Sequence, residues 1–314
     1  MTRADDDAER SDGEEWRTMT AAETSTAPTD QADRVILTKD HDAHIARITI
    51  CNPAKKNAMA PEDCELMGRY LDDIAEDDAI KVVLVRGEGG VFTTGVDLNR
   101  AYGWYHTPGD DRRPSQRRRL AVDRKGQRMF HEFIGFPKAT IVQVESYALG
   151  LGLELALAAD LAVVSRQAKL GMPAARFLGP VLGNVALFMH RLGPVVARDL
   201  MLTGRMAPGA EFESAKLFTR FVDEEDVAAE TEALATQVAK MPADGIAIAK
   251  EAYRLVEASS ALGLEETTSY LFHSYGTNLR FESDEFNFVK ERSKSGTSDA
   301  FRKRDEHYGE GSAQ

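Results

Sequence analysis

Two glycine-containing turns carry the strongest chemical signal in this sequence. They span residues 92–98 (FTTGVDL) and residues 147–154 (YALGLGLE), and each follows an apolar segment that is typical of a buried strand. Each turn presents backbone N–H groups where the chain leaves its strand. The second turn runs directly into a predicted helix, whose N-terminus has free N–H donors and a partial positive charge. Such donors suit an anionic oxygen.

Glu154 is the candidate acid or base. It stands in the first turn of an otherwise apolar predicted helix, and a carboxylate that faces inward there would be desolvated, with a raised pKa. That is how a general acid or base is tuned. The alternative is a glutamate that only decorates a helix N-terminus, where acids are favoured. A dinucleotide-binding turn is disfavoured because Leu155 stands where the third glycine of that motif belongs.

Alternating strands and helices must position these turns, and they continue to about residue 220. This alternation predicts an α/β architecture. The predicted strands are 34–37, 44–50, 81–86, 139–144 and 161–165, and the predicted helices are 61–77, 115–136 and 150–159. Residues 225–306 read as helices only. We therefore expect an acidic disordered tail over 1–33, a core over 34–220 and a helical C-terminal region over 221–314.

Composition excludes several classes of protein. The formal net charge of -12 argues against non-specific binding to nucleic acid or to an anionic membrane. No apolar stretch approaches the roughly 18 residues that a membrane span requires, and the N-terminus has no apolar signal segment. Cys51 and Cys64 make neither a disulfide framework nor a metal cluster, so no metal site is expected and a cytoplasmic location fits best.

Several motifs in order resemble the crotonase (enoyl-CoA hydratase/isomerase) superfamily, and the resemblance runs from about residue 34 to 309. Besides the two turns, the matching segments are 52–59 (NPAKKNAM), 159–161 (ADL), 191–193 (RLG), 202–205 (LTGR) and 300–304 (AFRKR) with Tyr308. Any one of these would be weak evidence. Their number and order make the resemblance specific.

The resemblance implies a crotonase-like spiral of ββα turns with an α-helical C-terminal trimerisation region, assembled as a trimer or a dimer of trimers. It implies acyl-coenzyme A substrates and no permanently bound cofactor. Carried over by position, the N–H groups of Val96 and Leu151 bind the thioester oxygen, and Glu154 handles the proton or the water. Hydration of a 2-enoyl-CoA is the leading reaction.

The resemblance also implies a set of coenzyme A contacts. Lys55, Lys56 and Ala58 match a loop that surrounds the adenine and phosphates, while Phe301 and Lys303 match a C-terminal contact that is often made across subunits. The full expected set is Lys55, Lys56, Ala58, Thr94, Asp97, Leu98, Phe301 and Lys303. By residue type alone, each lysine reads more readily as a solvated surface charge.

The chain departs from the family pattern at three points. Family hydratases use two glutamates, and the second position is Ala174 here. The usual Asn-Gly before the second turn is Glu145-Ser146, so Glu145 is either a substitute carboxylate or a solvent-facing strand end. Leu151 replaces the middle glycine of a triple glycine. The missing glutamate favours one alternative, a hydrolase of CoA thioesters or C–C bonds on the same scaffold. The alternative of another class is a non-catalytic acyl-CoA- or RNA-binding protein.

Residues 100–136 are distinctive in a second way. Their aromatic residues either line an acyl pocket or pack on a neighbouring subunit: Tyr102, Trp104, Tyr105 and His106. A basic stretch follows, formed by Arg112, Arg113, Arg117, Arg118, Arg119, Arg124, Lys125 and Arg128. A solvated helix face is the favoured interpretation, ahead of a contact with CoA phosphates or with the acidic tail. RNA is a remote third, and His131 on the same helix is expected to be a packing or surface histidine.

Overall fold

In this computed structural model, which describes residues 34–101, 105–106, 112–179 and 183–309, the strands form two sheets. The strands are β1 (Val35–Asp40), β2 (Ile45–Ile50), β3 (Val82–Gly87), β4 (Ala139–Val144), β5 (Tyr147–Leu149), β6 (Leu161–Ser165), β7 (Lys169–Gly171), β8 (Met206–Pro208) and β9 (Arg220–Val222). The six-stranded sheet has the order β1-β2-β3-β4-β6-β9 and is parallel except for the β1–β2 pair. The small sheet has the order β5-β7-β8.

Helices follow or cover these strands. They are α1 (Pro61–Ala75), α2 (Leu98–Ala101), α3 (Gln116–Ile134), α4 (Leu151–Ala158), α5 (Ala175–Leu178), α6 (Val185–Thr203), α7 (Ala210–Glu213), α8 (Val227–Ala239), α9 (Ala243–Ala258), α10 (Glu265–Gly276), α11 (Phe288–Ser295) and α12 (Thr297–His307). Local chemistry sets several starts. Pro61 opens α1, and the Ser115 side chain caps α3 by accepting the Arg118 N–H.

The centre of the large sheet is buried on both faces, which explains the continuous apolar run of β3. Val83 and Val85 face the main core, whereas Val82 and Leu84 face the opposite side, where α8 packs. Parallel sheets require this double cover. Full burial of one such side chain stabilises the fold by about 1.5–3 kcal/mol.

The C-terminal helices complete the layers around the core. Helix α8 lies on the outer face of the large sheet, and α10 packs against α3 and α6. The expected domain boundary at residue 220 falls on the first residue of β9, which pairs with β6. Because a strand and a helix beyond that residue contribute to the core layers, the three-part division stays a prediction.

The mixed α/β architecture expected from the sequence is confirmed, with helices alone following β9 in the described chain. The tail expected over residues 1–33 lies outside the described residues. Among the described helices, none combines the length and the apolar character needed to cross a membrane.

Candidate active site

The two glycine turns lie side by side, joined by backbone hydrogen bonds. The Thr93 N–H donates to the Tyr147 carbonyl at 3.0 Å, and the Leu149 N–H donates to the Thr93 carbonyl at 3.2 Å. Met59 pairs with Val96 in the same way on the other side of the first turn. Two turns that are about 55 residues apart in the chain are thereby fixed relative to each other.

Glycine is required where these turns touch. Gly95 has φ +93°, and a Cβ added there would lie 2.6 Å from the Leu149 carbonyl oxygen. Gly150 has φ 56° and ψ -120°, a conformation that only glycine adopts easily. Gly152 has an ordinary helical backbone, but its Cβ would lie 2.7 Å from the Thr93 methyl carbon. The absence of side chains at these positions therefore permits the close approach.

The N–H groups of Val96 and Leu151 remain available to a ligand. Among the described residues, neither group donates a hydrogen bond to a carbonyl or a side chain. Leu151 is the first residue of α4, so its N–H carries the partial positive charge of a helix N-terminus. A pair of such donors can bind a carbonyl oxygen on which negative charge develops.

Glu154 lies in the first turn of α4, a helix whose eight residues are all buried. The residue is only 9% exposed. Burial raises the pKa of the Glu154 carboxyl to about 7, and the positive charge of His273 opposes that rise. A carboxyl that titrates near neutrality in a buried site can accept or donate a proton during a reaction.

Asn184 lies beside the Glu154 carboxyl and also opposes the rise of its pKa. The Asn184 side chain is fully buried, yet neither its amide oxygen nor its amide nitrogen completes a well-aligned hydrogen bond with the described residues. The contact with Glu154 is therefore loose. An amide in this position can hold either protonation state of the carboxyl, because it has both a donor and an acceptor.

Glu265 is a second buried carboxyl in this part of the molecule. One of its oxygens accepts the Leu187 N–H at 2.9 Å and so caps the N-terminus of α6, while the other oxygen has no partner among the described residues. Burial raises the pKa of Glu265 to about 7, and the nearby Glu154 carboxylate adds to the rise. Glu265 does not line the cavity described below.

Glu265→Gln should make the free energy of unfolding less sensitive to rising pH. A carboxyl with a pKa of about 7 when folded, against about 4.3 when unfolded, stabilises the fold most below pH 4.3. That stability is lost as pH rises from about 4.3 through 7, by at most about 4 kcal/mol. Urea unfolding of both proteins at pH 5 and pH 8 should show that the stability of the variant, relative to wild type, is higher at pH 8 than at pH 5. A difference independent of pH would contradict this assignment.

A cavity of about 1460 Å³ contains the core of the site. Six of the residues expected from the sequence line it: Thr94, Val96, Leu98, Leu151, Glu154 and Phe301. The other five, Lys55, Lys56, Ala58, Asp97 and Lys303, are not among its lining residues. The structure thus brings the expected catalytic residues together and leaves most of the expected polar CoA contacts outside the cavity.

The loop that carries the two lysines is held by Asp97. The Asp97 side chain is 3% exposed and accepts from Lys55 Nζ at 2.9 Å, and Arg34 lies 4.0 Å away. Lys56 is exposed and lies over the Tyr147 ring at 4.6 Å. Asp97 therefore organises this loop from beneath, while the Lys56 ammonium remains at the surface.

Of the two expected C-terminal contacts with coenzyme A, Phe301 lines the cavity and Lys303 does not. Phe301 lines the cavity of its own chain and packs on Phe288, with ring centroids 5.1 Å apart. Lys303 pairs with Glu291 and with Asp299. These two carboxylates raise the pKa of Lys303 and already balance its charge.

The structure shows where two departures from the family pattern, Ala174 and Glu145, lie relative to the cavity. Ala174 lines the cavity, so the position of the second glutamate faces the site without a carboxyl. Glu145 is 8% exposed and is not a solvent-facing strand end. Burial raises its pKa, with Gln143, Arg86 and Glu224 around it. Because Glu145 does not line the cavity, it is not a substitute carboxylate for Ala174 there.

Tyr105, Asp123 and His273 form a hydrogen-bonded network on the cavity wall. The Tyr105 hydroxyl donates to Asp123 Oδ1 at 2.6 Å, and His273 Nδ1 lies 3.0 Å from the same oxygen. Burial and Asp123 raise the pKa of Tyr105, which keeps the phenol protonated. Arg119 stacks on the Tyr105 ring at 4.3 Å and donates to Thr277.

This network corrects part of the interpretation of residues 100–136. Arg119 is 3% exposed, so the prediction of a solvated face is wrong for this residue, although the other arginines and Lys125 of α3 are exposed. Tyr105 lines the cavity, whereas Tyr102 and Trp104 lie outside the described residues. His131 is a packing histidine, since its Nε2 lies 3.0 Å from the Ser269 hydroxyl.

Sequence reasoning missed Asn184, Glu265, Asp123 and His273. None of them belongs to a recognisable motif. The one available signal was Asp123, an isolated acid in the basic stretch. Its role becomes clear only in the structure, where the helix that carries it packs against α10.

Comparisons with known proteins agree with this geometry. The sequence profile of the family Enoyl-CoA hydratase/isomerase matches residues 40–295. The Bos taurus protein "Enoyl-CoA hydratase domain-containing protein 2, mitochondrial" is 30% identical over 70% of this chain and 73% of its own length. Carnitinyl-CoA dehydratase from Salmonella typhi is 29% identical over 72% of this chain and 82% of its own length.

Solved structures give the same result. An enoyl-CoA hydratase from Mycobacterium smegmatis superposes with a TM-score of 0.77 at 25% identity, covering 90% of this chain and 97% of the other. An enoyl-CoA hydratase/isomerase from Xanthobacter autotrophicus Py2 gives 0.71 at 25% identity, covering 88% and 98%. With a family match over most of its length, a crotonase-like fold and the paired turns beside Glu154, this chain belongs to the enoyl-CoA hydratase/isomerase family.

Proposed function

We propose that this protein adds water across the Cα=Cβ bond of a 2-enoyl-CoA thioester. The observation that carries the proposal is the meeting of three groups in one cavity: the N–H groups of Val96 and Leu151, and the Glu154 carboxyl. Among the described residues these two N–H groups have no protein acceptor, and such donors beside the buried Glu154 carboxyl suit a reaction that builds an enolate.

The chemistry follows from these groups. The Glu154 carboxylate accepts a proton from water as the water oxygen bonds to Cβ. The electron pair of the double bond moves toward the thioester, and negative charge develops on its carbonyl oxygen. Donation by Val96 and Leu151 stabilises that oxygen, and one such donor typically contributes about 100- to 1000-fold in rate. Protonation at Cα completes the addition.

Coenzyme A is part of this substrate, and no permanently bound cofactor enters the proposal. Thr94, Leu98 and Phe301 line the same cavity as Glu154, which supports their proposed contact with the pantetheine or acyl part. Lys55, Lys56, Ala58 and Asp97 are proposed to hold the nucleotide end from the adjacent loop. Lys303 has weaker support because Glu291 and Asp299 pair with it.

We also propose assembly as a trimer or a dimer of trimers. Large apolar side chains on α9 support a covered face there, since Ile248 and Leu255 are 70% and 76% exposed in the single chain.

Crotonyl-CoA in deuterated water tests the proposed reaction. The expected result by mass spectrometry is a hydroxyacyl-CoA that has gained the elements of deuterated water and carries one deuterium at Cα. Glu154→Ala should lose this product while its affinity for CoA, measured by calorimetry, stays unchanged. Unchanged turnover in that variant would remove Glu154 from the mechanism.

The same spectra distinguish the second candidate function. Ala174 in the cavity wall favours a hydrolase, because the Glu154 carboxyl alone can activate water toward a thioester carbonyl. Free CoA and a free carboxylic acid, in place of a water adduct, would establish that reaction and overturn the hydratase.

A further inference from the structure

His273 is an ionisable residue that lines the same cavity as Glu154. Both residues line the same space, although α10, which carries His273, and α4, which carries Glu154, are far apart in the chain. An alkene hydration needs a group that takes a proton from water and a source of a proton for Cα. Ala174 supplies neither.

Asp123 fixes the orientation of the His273 ring. Its side chain is 0% exposed, and its Oδ1 lies 3.0 Å from His273 Nδ1. A buried carboxylate that accepts from Nδ1–H selects one tautomer and leaves Nε2 as the reactive nitrogen. Among the described residues Nε2 has no hydrogen-bond partner, and the His273 side chain is 19% exposed.

The surroundings of Asp123 make this arrangement rigid. Tyr105 donates to the same carboxyl oxygen, and Thr277 lies 3.2 Å from the Tyr105 hydroxyl. Arg119, which is buried against the Tyr105 ring, donates to the Ser274 carbonyl on the helix that carries His273. A histidine held on one side only by such a network can move a proton on its other side.

The charged groups near His273 come from several elements. Asp123 and Arg119 lie on α3, and Glu154 lies on α4. From α6, His190 and Arg191 are directed to Glu257 and not to His273. The Glu154 carboxyl and the His273 ring therefore share one cavity, whose wall also carries Tyr105, Arg119 and Asp123. A positive charge on His273 favours the ionised form of Glu154.

We propose that His273, oriented by Asp123, donates the proton to Cα in this protein and takes the place of the carboxyl that Ala174 lacks. This proposal rests on the proposed hydratase function. In the step, the water oxygen bonds to Cβ and its proton passes to Glu154. The carbon–carbon π pair, held as the enolate, then bonds to the proton of the His273 imidazolium. Solvent returns the proton from Glu154 to His273.

His273→Gln and Asp123→Asn test this role in the full-length protein. His273→Gln should lower kcat for crotonyl-CoA hydration by about 100-fold, and Asp123→Asn, which removes only the orienting charge, by about 10-fold. The dissociation constant for CoA should stay within about twofold of wild type. The loss in His273→Gln should lie in kcat, with KM for crotonyl-CoA within about twofold of wild type, because the interaction is made only in the transition state.

His131→Gln is the matched control. His131 also joins α3 to α10, through Ser269, but it does not line the cavity. If His273 only fastened these two helices together, both substitutions would change the melting temperature alike and would change kcat alike. That result, or wild-type kcat in His273→Gln, would overturn the proposal.

A measurement without turnover separates this inference from the proposed function. Nitrogen-15 chemical shifts of the histidines should show His273 as a single tautomer, protonated on Nδ1, in the wild-type protein and as a mixture of tautomers in Asp123→Asn. A mixture in the wild-type protein would contradict the orientation by Asp123. A single tautomer in a protein that hydrates no enoyl-CoA would keep the oriented histidine and overturn the hydratase.

Discussion

Glu154→Gln should lower kcat for 2-enoyl-CoA hydration by about 1000-fold and leave the affinity for CoA unchanged. Glutamine has nearly the same shape and keeps the contact with Asn184, but it cannot accept a proton. The wild-type rate should also fall as pH decreases below about 7, because burial raises the pKa of Glu154 to about 7 and only the ionised carboxyl accepts the proton from water. In the variant this fall of the rate at low pH, the acid limb of the pH profile, should be absent. Steady-state kinetics from pH 5 to pH 9 measure both effects.

Glu145→Gln is the control for this substitution. Glu145 is also buried and also has a raised pKa, but it lies outside the cavity. Its replacement should leave kcat and the acid limb as in wild type. Equal losses in the two variants would mean that buried charge in general, and not proton transfer by Glu154, supports activity.

Gly152→Ala should lower kcat by about 100- to 1000-fold, the effect of losing one oxyanion donor. The added Cβ would lie 2.7 Å from the Thr93 methyl carbon and 2.8 Å from the Thr93 carbonyl oxygen. The methyl group can rotate away, but the carbonyl belongs to the backbone of the first turn. The two turns must therefore separate, and the Val96 and Leu151 N–H groups no longer converge on one oxygen.

Gly245→Ala is the control for Gly152→Ala, because Gly245 is also a helical glycine but lies in α9. A Cβ at Gly245 meets only Pro242 Cβ at 3.7 Å, an ordinary contact. This substitution should keep full activity and stabilise α9 by up to about 1 kcal/mol. Kinetics and thermal denaturation of both variants are needed, since Gly152→Ala with normal kcat would show that the spacing of the turns does not limit the reaction.

Local sequence patterns determined most of the framework of this protein. The apolar runs 139–144 and 161–165 were predicted as strands with the bounds that β4 and β6 have. Glycines in the two turns predicted the close backbone approach, because the physical requirement is the absence of a Cβ. The family motifs placed Val96, Leu151 and Glu154 in one site for the same reason, since backbone donors depend on chain path and not on side-chain identity.

Tertiary packing decided the electrostatics of the site. Asp123 and His273 are 150 residues apart and meet only because α10 packs against α3. Glu265 becomes a helix cap only because the same helix begins beside the N-terminus of α6.

The pKa of Glu154 follows the same rule. The sequence gives its carboxyl and its place in the first turn of α4, but a pKa depends on the solvent that is removed and on the charges that replace it. Burial removes the solvent and raises the pKa, whereas the Asn184 amide and the charge of His273, from distant parts of the chain, oppose that rise. The sequence by itself therefore determined which backbone groups and which carboxyl form the site, and only the folded structure decided how that carboxyl titrates and which ionisable residues share its cavity.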